Sequence, residues 1–277
     1  MQALFRVDSS SQIGGGHLSR CLTLASALQA SGYRIVFACA DLPGHLCELI
    51  TQAGFQLLLL PPLMDEAQDA LQTQQLVHSL ADPLNGLELL VLDHYQLGAR
   101  WQTALLPLTQ TLCVIDDLAT TPIHADVVIN QNTGAQAIDY QALATTQPLD
   151  SNTQLLMGPQ YALLRSEFQS QTLPQAAAVT HCLIQISATD PDNVTLKVIS
   201  ALLKTTTQVH FSVVLSSKAS HLQSVRQAIQ EDSRFSLHLD VDNMADFMAQ
   251  HQVAIGAGGV AALERCAMGL PCLLLII

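Results

Sequence analysis

The residues best suited to chemistry stand eight positions into the chain, in SSSQIGGGHLSR (9–20). Gly14, Gly15 and Gly16 permit positive φ and close approach of the backbone to a ligand. His17 follows them, and a neutral imidazole takes a proton from water or a hydroxyl near pH 7. The stretch is not the G-x-G-x-x-G dinucleotide fingerprint, because its glycines are consecutive and position 20 is Arg20. Nor is it a Walker loop, since no G-K-[ST] follows. Two readings stand: a ligand loop with His17 as general base, or a tight turn whose histidine caps the next helix.

A second glycine turn lies in GAGGVAALERC (256–266). The amides of Gly258, Gly259 and Val260 open a helix and suit a diphosphate. Glu264, one turn in, suits a ribose diol, as the acidic residue of dinucleotide sites does. The plainer reading is a glycine turn with a surface glutamate. In SATDPDN (187–193), Ser187, Ala188 and Thr189 precede aspartates suited to capping a helix near Asn193. LDHYQLG (92–98) and VINQNTG (128–134) follow strand-like runs and offer His94, Tyr95, Asn130 and Asn132 to a sugar's hydroxyls and amides, or serve as ordinary loop residues. GPQYALLRSEF (158–168) places Tyr161 and Arg165 one helical turn apart, either facing a ligand or closing the first domain.

These residues need strand ends to hold them, and the chain supplies an alternation of strands and helices. QALFRV (2–7), YRIVFACA (33–40), FQLLLL (55–60), LELLVLD (87–93), TLCVID (111–116) and ADVVIN (125–130) read as strands. Helices are expected between them, one opening near His17 with Gly32 as its stop, and others over 43–54, 64–80 and 98–109. Near-continuous apolar strands separated by helices predict a parallel sheet covered on both faces. Residues 169–180, QSQTLPQAAAVT, lack periodicity and read as a linker. The pattern then restarts with strands at 181–187, 208–215, 235–240 and 252–256, and helices at 194–204, 219–230, 242–250 and after Gly259. The expected fold class is α/β, with two Rossmann-like domains facing a cleft: 1–168, the linker, and 181–277. The chain stops at the apolar strand PCLLLII (271–277), so the second domain reads as truncated, without its usual covering helix.

At 277 residues and 49% hydrophobic, the chain has material for two α/β cores. A net charge of −12 argues against general nucleic-acid binding, which needs clustered lysine and arginine. No apolar run is long enough to span a membrane, and the first residues lack the basic and apolar regions of a signal peptide. Seven cysteines without paired spacing suit a reduced compartment. The expectation is a soluble cytoplasmic protein. There is no C-x-x-C pair and no H-E-x-x-H, so no metal site is expected, and no G-x-S-x-G elbow for a serine hydrolase.

Taken together, these stretches resemble one family, the UDP-sugar hydrolases of pseudaminic acid biosynthesis, which have the two-domain GT-B fold. The likeness is most specific over FRVDSSSQIGGGHLSRCLTLA (5–25), and LDHY, GPQYALLRSEF, TDPDN and GAGGVAALERCAMGLP fall in the family's order. The resemblance implies hydrolysis of UDP-2,4-diacetamido-2,4,6-trideoxy-beta-L-altrose, with inversion at the anomeric carbon. It implies that His17 acts as acid/base on the attacking water and that Tyr95 lies near the reacting sugar. Gly14, Gly15, Gly16, Asn130, Asn132, Tyr161 and Arg165 match sugar-side positions. Ser187, Ala188, Thr189, Gly258, Gly259, Val260 and Glu264 match the UDP side. No metal or cofactor is implied, the only partner is the UDP-linked diacetamido-trideoxy sugar, and a monomer is expected. Ser187 and Ala188 replace the family's paired glycine, and a segment rich in asparagine and glutamine that follows in relatives is not present, so weakened nucleotide affinity is expected. The alternatives are a GT-B glycosyltransferase using a UDP-amino sugar, or a non-catalytic, decayed UDP-sugar binder.

Overall fold

The structure, a computed structural model, describes residues 1–62, 65–80, 86–143, 152–168 and 178–276. They form two compact units, Met1–Leu163 and Leu164–Ile277. The first holds strands β1 (Gln2–Val7), β2 (Arg34–Ala40), β3 (Gln56–Leu60), β4 (Leu89–Asp93), β5 (Leu112–Ile115), β6 (Val127–Asn130) and β7 (Gln154–Met157). Its helices are α1 (Gly16–Ala30), α2 (Glu48–Gln52), α3 (Glu66–Leu80), α4 (Ala99–Leu105) and α5 (Ala137–Leu143). The strands pair in the order β3-β2-β1-β4-β5-β6-β7, every neighbour parallel.

Alternation along the strands feeds two cores, because successive side chains point to opposite faces. Ala3, Phe5 and Val7 join Phe37, Leu18 and Cys21 on the α1 side. Leu4 joins Leu90, Leu92 and Trp101 on the α3–α4 side. Arg6 shares that second face and is fully buried. A lone buried guanidinium would cost several kcal/mol (order of magnitude), and it survives because Asp8 and Asp69 both bond it.

The second unit holds β8 (His181–Gln185), β9 (His210–Leu215), β10 (Phe235–Leu239), β11 (Val253–Ala257) and β12 (Cys272–Leu275). Its helices are α6 (Val194–Leu202), α7 (Leu222–Ile229), α8 (Met244–Met248) and α9 (Val260–Met268). The sheet is again parallel, ordered β10-β9-β8-β11-β12. In each sheet the order reverses once, between β1 and β4 and between β8 and β11. Open α/β sheets bind ligands at the carboxyl ends of the strands flanking such a reversal. Both glycine turns leave from those strand ends.

Three expectations need correction. The boundary falls earlier than residue 168: Leu164 and Phe168 pack with Met244, Met248 and Met268 of the second unit, while Leu163 packs in the first. Of the expected linker, residues 169–177 lie outside the described residues. The helix expected over 43–54 shrinks to α2, because Pro43 and Gly44 form a turn with Gly44 at φ +72°. Tyr161 and Arg165 do not share a helix. Tyr161 ends a 3-10 turn over Pro159–Tyr161, Ala162 is extended at ψ 127°, and the two residues fall in different units. The short elements α5 and β7 had no clear periodic signal in the sequence.

Candidate functional site

The first glycine turn is tied down by its own serines. Ser10 Oγ accepts from the amides of Gln12 and Ile13 at 3.2 and 3.0 Å, and Ser9 Oγ accepts from the Leu46 amide at 3.0 Å. Gly14 sits at φ +78°, where a β-carbon is strained. Gly15 is the N-cap of α1 and no side chain caps it, so His17 is not the cap. The helix begins one residue before His17, which places His17, Arg20 and Cys21 on one face at spacings of three and four.

That face meets the end of β4. Asp93, 1% exposed, takes His17 Nδ1 on Oδ1 at 2.5 Å. Arg20 donates from Nη2 to Oδ1 and from Nε to Oδ2, both at 2.6 Å, and the Cys21 thiol approaches Oδ2 at 3.6 Å. Burial alone would raise the Asp93 pKa. The bonds from Arg20 and His17 overcome it and hold the group down at about 2. Asp93 is therefore an anion, and an anion accepts; Arg20 Nη2 also lies 3.1 Å from His17 Nδ1, but the shorter contact at 2.5 Å to the carboxylate puts the hydrogen on Nδ1. The other ring nitrogen, Nε2, is left with the lone pair that can take a proton. Burial pushes the Cys21 thiol well up, with Asp93 adding to the effect, so it is not a nucleophile.

Arg20 continues the network. Its Nη1 donates to both oxygens of Asp117 at 2.7 Å, and Asp117 Oδ2 accepts from the Tyr95 hydroxyl at 3.0 Å. Tyr95 in turn lays its ring edge-on to His17, with centroids 4.5 Å apart at 82°. Burial, and then the charge of Asp117, push the Tyr95 phenol up, so it stays protonated. His17, Asp93, Arg20, Asp117 and Tyr95 thus close a ring of contacts at the reversal point of the first sheet. The sequence reading reached His17 and Tyr95. It missed Arg20, Asp93 and Asp117, although Arg20 three residues after His17 in a helix was a usable signal.

The other residues expected on the sugar side are placed less favourably. Asn130 is buried, and its amide donates to the Tyr140 hydroxyl at 2.8 Å while its oxygen accepts from the Asn132 amide at 3.0 Å. Asn132 donates to the Asp117 carbonyl at 3.0 Å, so both asparagines brace the loop beneath Tyr95. Tyr161 is 41% exposed and joins none of the contacts of the ring.

In the second unit Gly258 and Gly259 are exposed, and Gly259 lies at φ +81°, ψ −160°, a region open to glycine almost alone. Val260 starts α9. Glu264 is buried, and Arg165 donates to its Oε1 from Nε at 3.1 Å and from Nη2 at 2.9 Å. Burial raises the Glu264 pKa against the pull of Arg165. Both bonds fall on Oε1. On the neighbouring strand end Ser187 Oγ accepts from the Asp190 amide at 2.8 Å. Asp190 caps α6 by accepting from the amides of Val194 and Thr195 at 2.9 and 2.8 Å. Ala188 accepts from Ser216 through its carbonyl at 2.9 Å, and Thr189 sits half-buried beside it. The open helix start is therefore that of α9, not α6. Among the described residues no cluster of three or more side chains is arranged to hold a metal ion, and no helix is long and apolar enough to cross a membrane.

No known family profile matches the chain. The chain is 28% identical over 248 residues to the UDP-2,4-diacetamido-2,4,6-trideoxy-beta-L-altropyranose hydrolase of Campylobacter jejuni, spanning 90% of this chain and 81% of that protein. It is 27% identical over 156 residues to the spore coat polysaccharide biosynthesis protein SpsG of Bacillus subtilis, spanning 55% of this chain and 44% of that protein. Among solved structures, MurG of Acinetobacter baumannii superimposes with a TM-score of 0.62 at 10% identity, over 100% of this chain and 79% of that one. That last likeness speaks for the fold alone, which is the two-unit α/β arrangement of the GT-B class.

Proposed function

We propose, for a chain that belongs to the family of the UDP-2,4-diacetamido-2,4,6-trideoxy-beta-L-altropyranose hydrolases, that it cleaves a UDP-linked diacetamido-trideoxy sugar with water. The observation that carries the mechanism is the bond between His17 Nδ1 and the buried anion Asp93. It fixes the ring so that Nε2 is the basic nitrogen. Water loses a proton to Nε2 as its oxygen bonds the anomeric carbon, and the bond from that carbon to the UDP oxygen breaks with its electron pair. Attack opposite the leaving group inverts the centre. Asp93 stabilises the imidazolium as it forms, without itself taking the proton. A positioned base of this kind contributes about 10²–10⁴-fold.

The leaving group falls to the second unit. The amides opening α9 after Gly259 favour the diphosphate and its developing charge, and Glu264 Oε2 takes the ribose diol. Tyr95, held by Asp117, lines the sugar side. The setting is the biosynthesis of pseudaminic acid, in the cytoplasm.

The test is UDP release from UDP-2,4-diacetamido-2,4,6-trideoxy-beta-L-altrose, followed by proton NMR for the parent chain and for His17→Ala. Release by the parent alone, with the inverted free sugar as product, supports the reading. Transfer of the sugar to an added acceptor in preference to water would make the chain a glycosyltransferase. UDP binding without turnover in either form would make it a binder.

A further inference from the structure

One histidine beside the site, its side chain largely covered, has no part in that chemistry. His94 follows Asp93 at the end of β4, and Asp8 follows Val7 at the end of β1, where Val7 and Asp93 are register partners. His94 Nε2 lies 3.1 Å from Asp8 Oδ2, and the Gln96 amide donates to His94 Nδ1 at 3.1 Å. A carboxylate only accepts, so Nε2 carries the hydrogen. A backbone N–H only donates, so Nδ1 carries the lone pair. Both contacts demand the same tautomer, and the imidazole, with a side chain 7% exposed, has both nitrogens engaged.

Its anchor is itself buried and bonded from several sides. Asp8 is 2% exposed, bonds the Arg6 guanidinium and accepts from the Ala40 amide at 2.8 Å. Arg6 also bonds Asp69, whose Oδ1 takes the Trp101 indole N–H at 2.8 Å. Tyr95, by contrast, is 56% exposed. The bond to Asp117 holds the tip of the ring, and a half-exposed ring keeps a fixed edge contact better when its backbone is fixed from behind as well.

We propose that His94 is a positioning residue: its Nε2–H bond to Asp8 ties the turn bearing Tyr95 to the strand end from which the His17 loop departs, and so sets the contact between the Tyr95 and His17 rings. The proposal rests on His17 as the base. It assigns His94 no contact with the substrate.

Two substitutions separate the bonds of the imidazole. His94→Gln places an amide nitrogen where Nε2 stands and keeps a donor for Asp8. His94→Asn places an amide oxygen where Nδ1 stands, keeping the acceptor for Gln96 and losing Asp8. We expect His94→Gln to hold kcat/KM within about three-fold, and His94→Asn to lose about ten-fold or more, in kcat more than KM, as for a misplaced contact. The second readout needs no turnover: the shift that the Tyr95 ring current places on the His17 ring protons stays in His94→Gln and vanishes in His94→Asn. Nitrogen shifts of His94 in the parent report the Nε2–H tautomer. A His17 shift unchanged in both variants, or lost equally in both, overturns the proposal, and so does an Nδ1–H tautomer. If the parent releases no UDP, the hydrolase reading fails while the ring-current arm still decides the role of His94.

Discussion

Asp93 holds His17 and Arg20 with one carboxylate. Oδ1 takes the imidazole Nδ1 at 2.5 Å and the guanidinium Nη2 at 2.6 Å, and Oδ2 takes Nε at 2.6 Å. The acid thus both fixes the ring and depends on Arg20 to remain an anion in the interior. Asp93→Asn presents an amide in place of one oxygen, which can turn the ring to its other tautomer and remove the lone pair from Nε2. The expected result is a loss of about 10²–10⁴-fold in kcat/KM, with UDP affinity by calorimetry unchanged. Turnover within a few-fold of the parent would sink the Asp93–His17 assignment.

The same carboxylate should show in acid. Its pKa falls from 3.8 unfolded to about 2 folded, so the unfolded chain binds the proton first. Its stabilisation is complete above about pH 5 and is lost as pH falls through 4 toward 2. Urea unfolding between pH 6 and pH 3 should therefore show a smaller loss of stability in Asp93→Asn than in the parent.

The glycine turn of the second unit can be tested without catalysis. Gly259 sits at φ +81°, ψ −160°, and no atom lies within 4 Å of where its β-carbon would stand. Strain, not crowding, is then the whole cost of Gly259→Ala, about 1–3 kcal/mol. If the turn relaxes to relieve it, the amides of α9 swing away from a diphosphate. The expected outcome is UDP binding at least ten-fold weaker while uridine binding is little changed; an equal loss for both ligands would place the phosphates elsewhere.

The sheets were legible in the sequence because buried parallel strands are continuous apolar runs, and QALFRV appears as β1 residue for residue. The glycine turns were legible because few residues but glycine adopt their backbone. The charged interior was not. Arg6, Arg20 and Asp93 carry the polarity of surface residues, and only three-dimensional pairing shows that they are buried. Likewise the boundary near Leu164 is set by which core Phe168 enters, a choice no local pattern encodes. Asn130 stands out in the sequence as a polar residue at a strand end and Glu264 as an acid one turn into a helix, and the structure adds the partners, Tyr140 and Arg165, that restrict what each can still bind.

A second pH dependence belongs to the other unit. His251, 4% exposed, donates from Nδ1 to the Phe247 carbonyl at 2.8 Å and packs against Phe247 and His181. His238 faces Phe247 and bonds Ser236, and His181 faces His210. Burial, reinforced by the neighbouring imidazoles, lowers the pKa of both His238 and His251 below 6.5. The unfolded chain then binds more protons as pH falls through 6.5, and stability falls with it. Tm should drop between pH 7 and pH 5, and His251→Asn, which keeps a donor for the Phe247 carbonyl, should flatten the slope. A parent Tm independent of pH over that range would contradict the shared titration.

Glu264, one turn into α9, is the acceptor we propose for the ribose. Its Oε1 already accepts two bonds from Arg165, so a ribose diol can bind only at Oε2, and the side chain cannot swing to meet it without breaking the ion pair. Arg165 in turn approaches Glu167 at 3.2 Å and stacks on Phe168 with its guanidinium carbon 5.0 Å from the ring centroid. The carboxylate is therefore held in place before any ligand arrives, which favours a diol in one orientation. Glu264→Gln keeps the shape, weakens the pair with Arg165 and replaces one acceptor by a donor. We expect UDP binding to weaken by about ten-fold, the worth of one charge-assisted bond, and binding of UDP lacking both ribose hydroxyls to be weak in the parent and unchanged by the substitution. If Glu264→Gln instead weakens both ligands equally, the residue acts through Arg165 on the fold of the second unit, and the ribose is read by other groups.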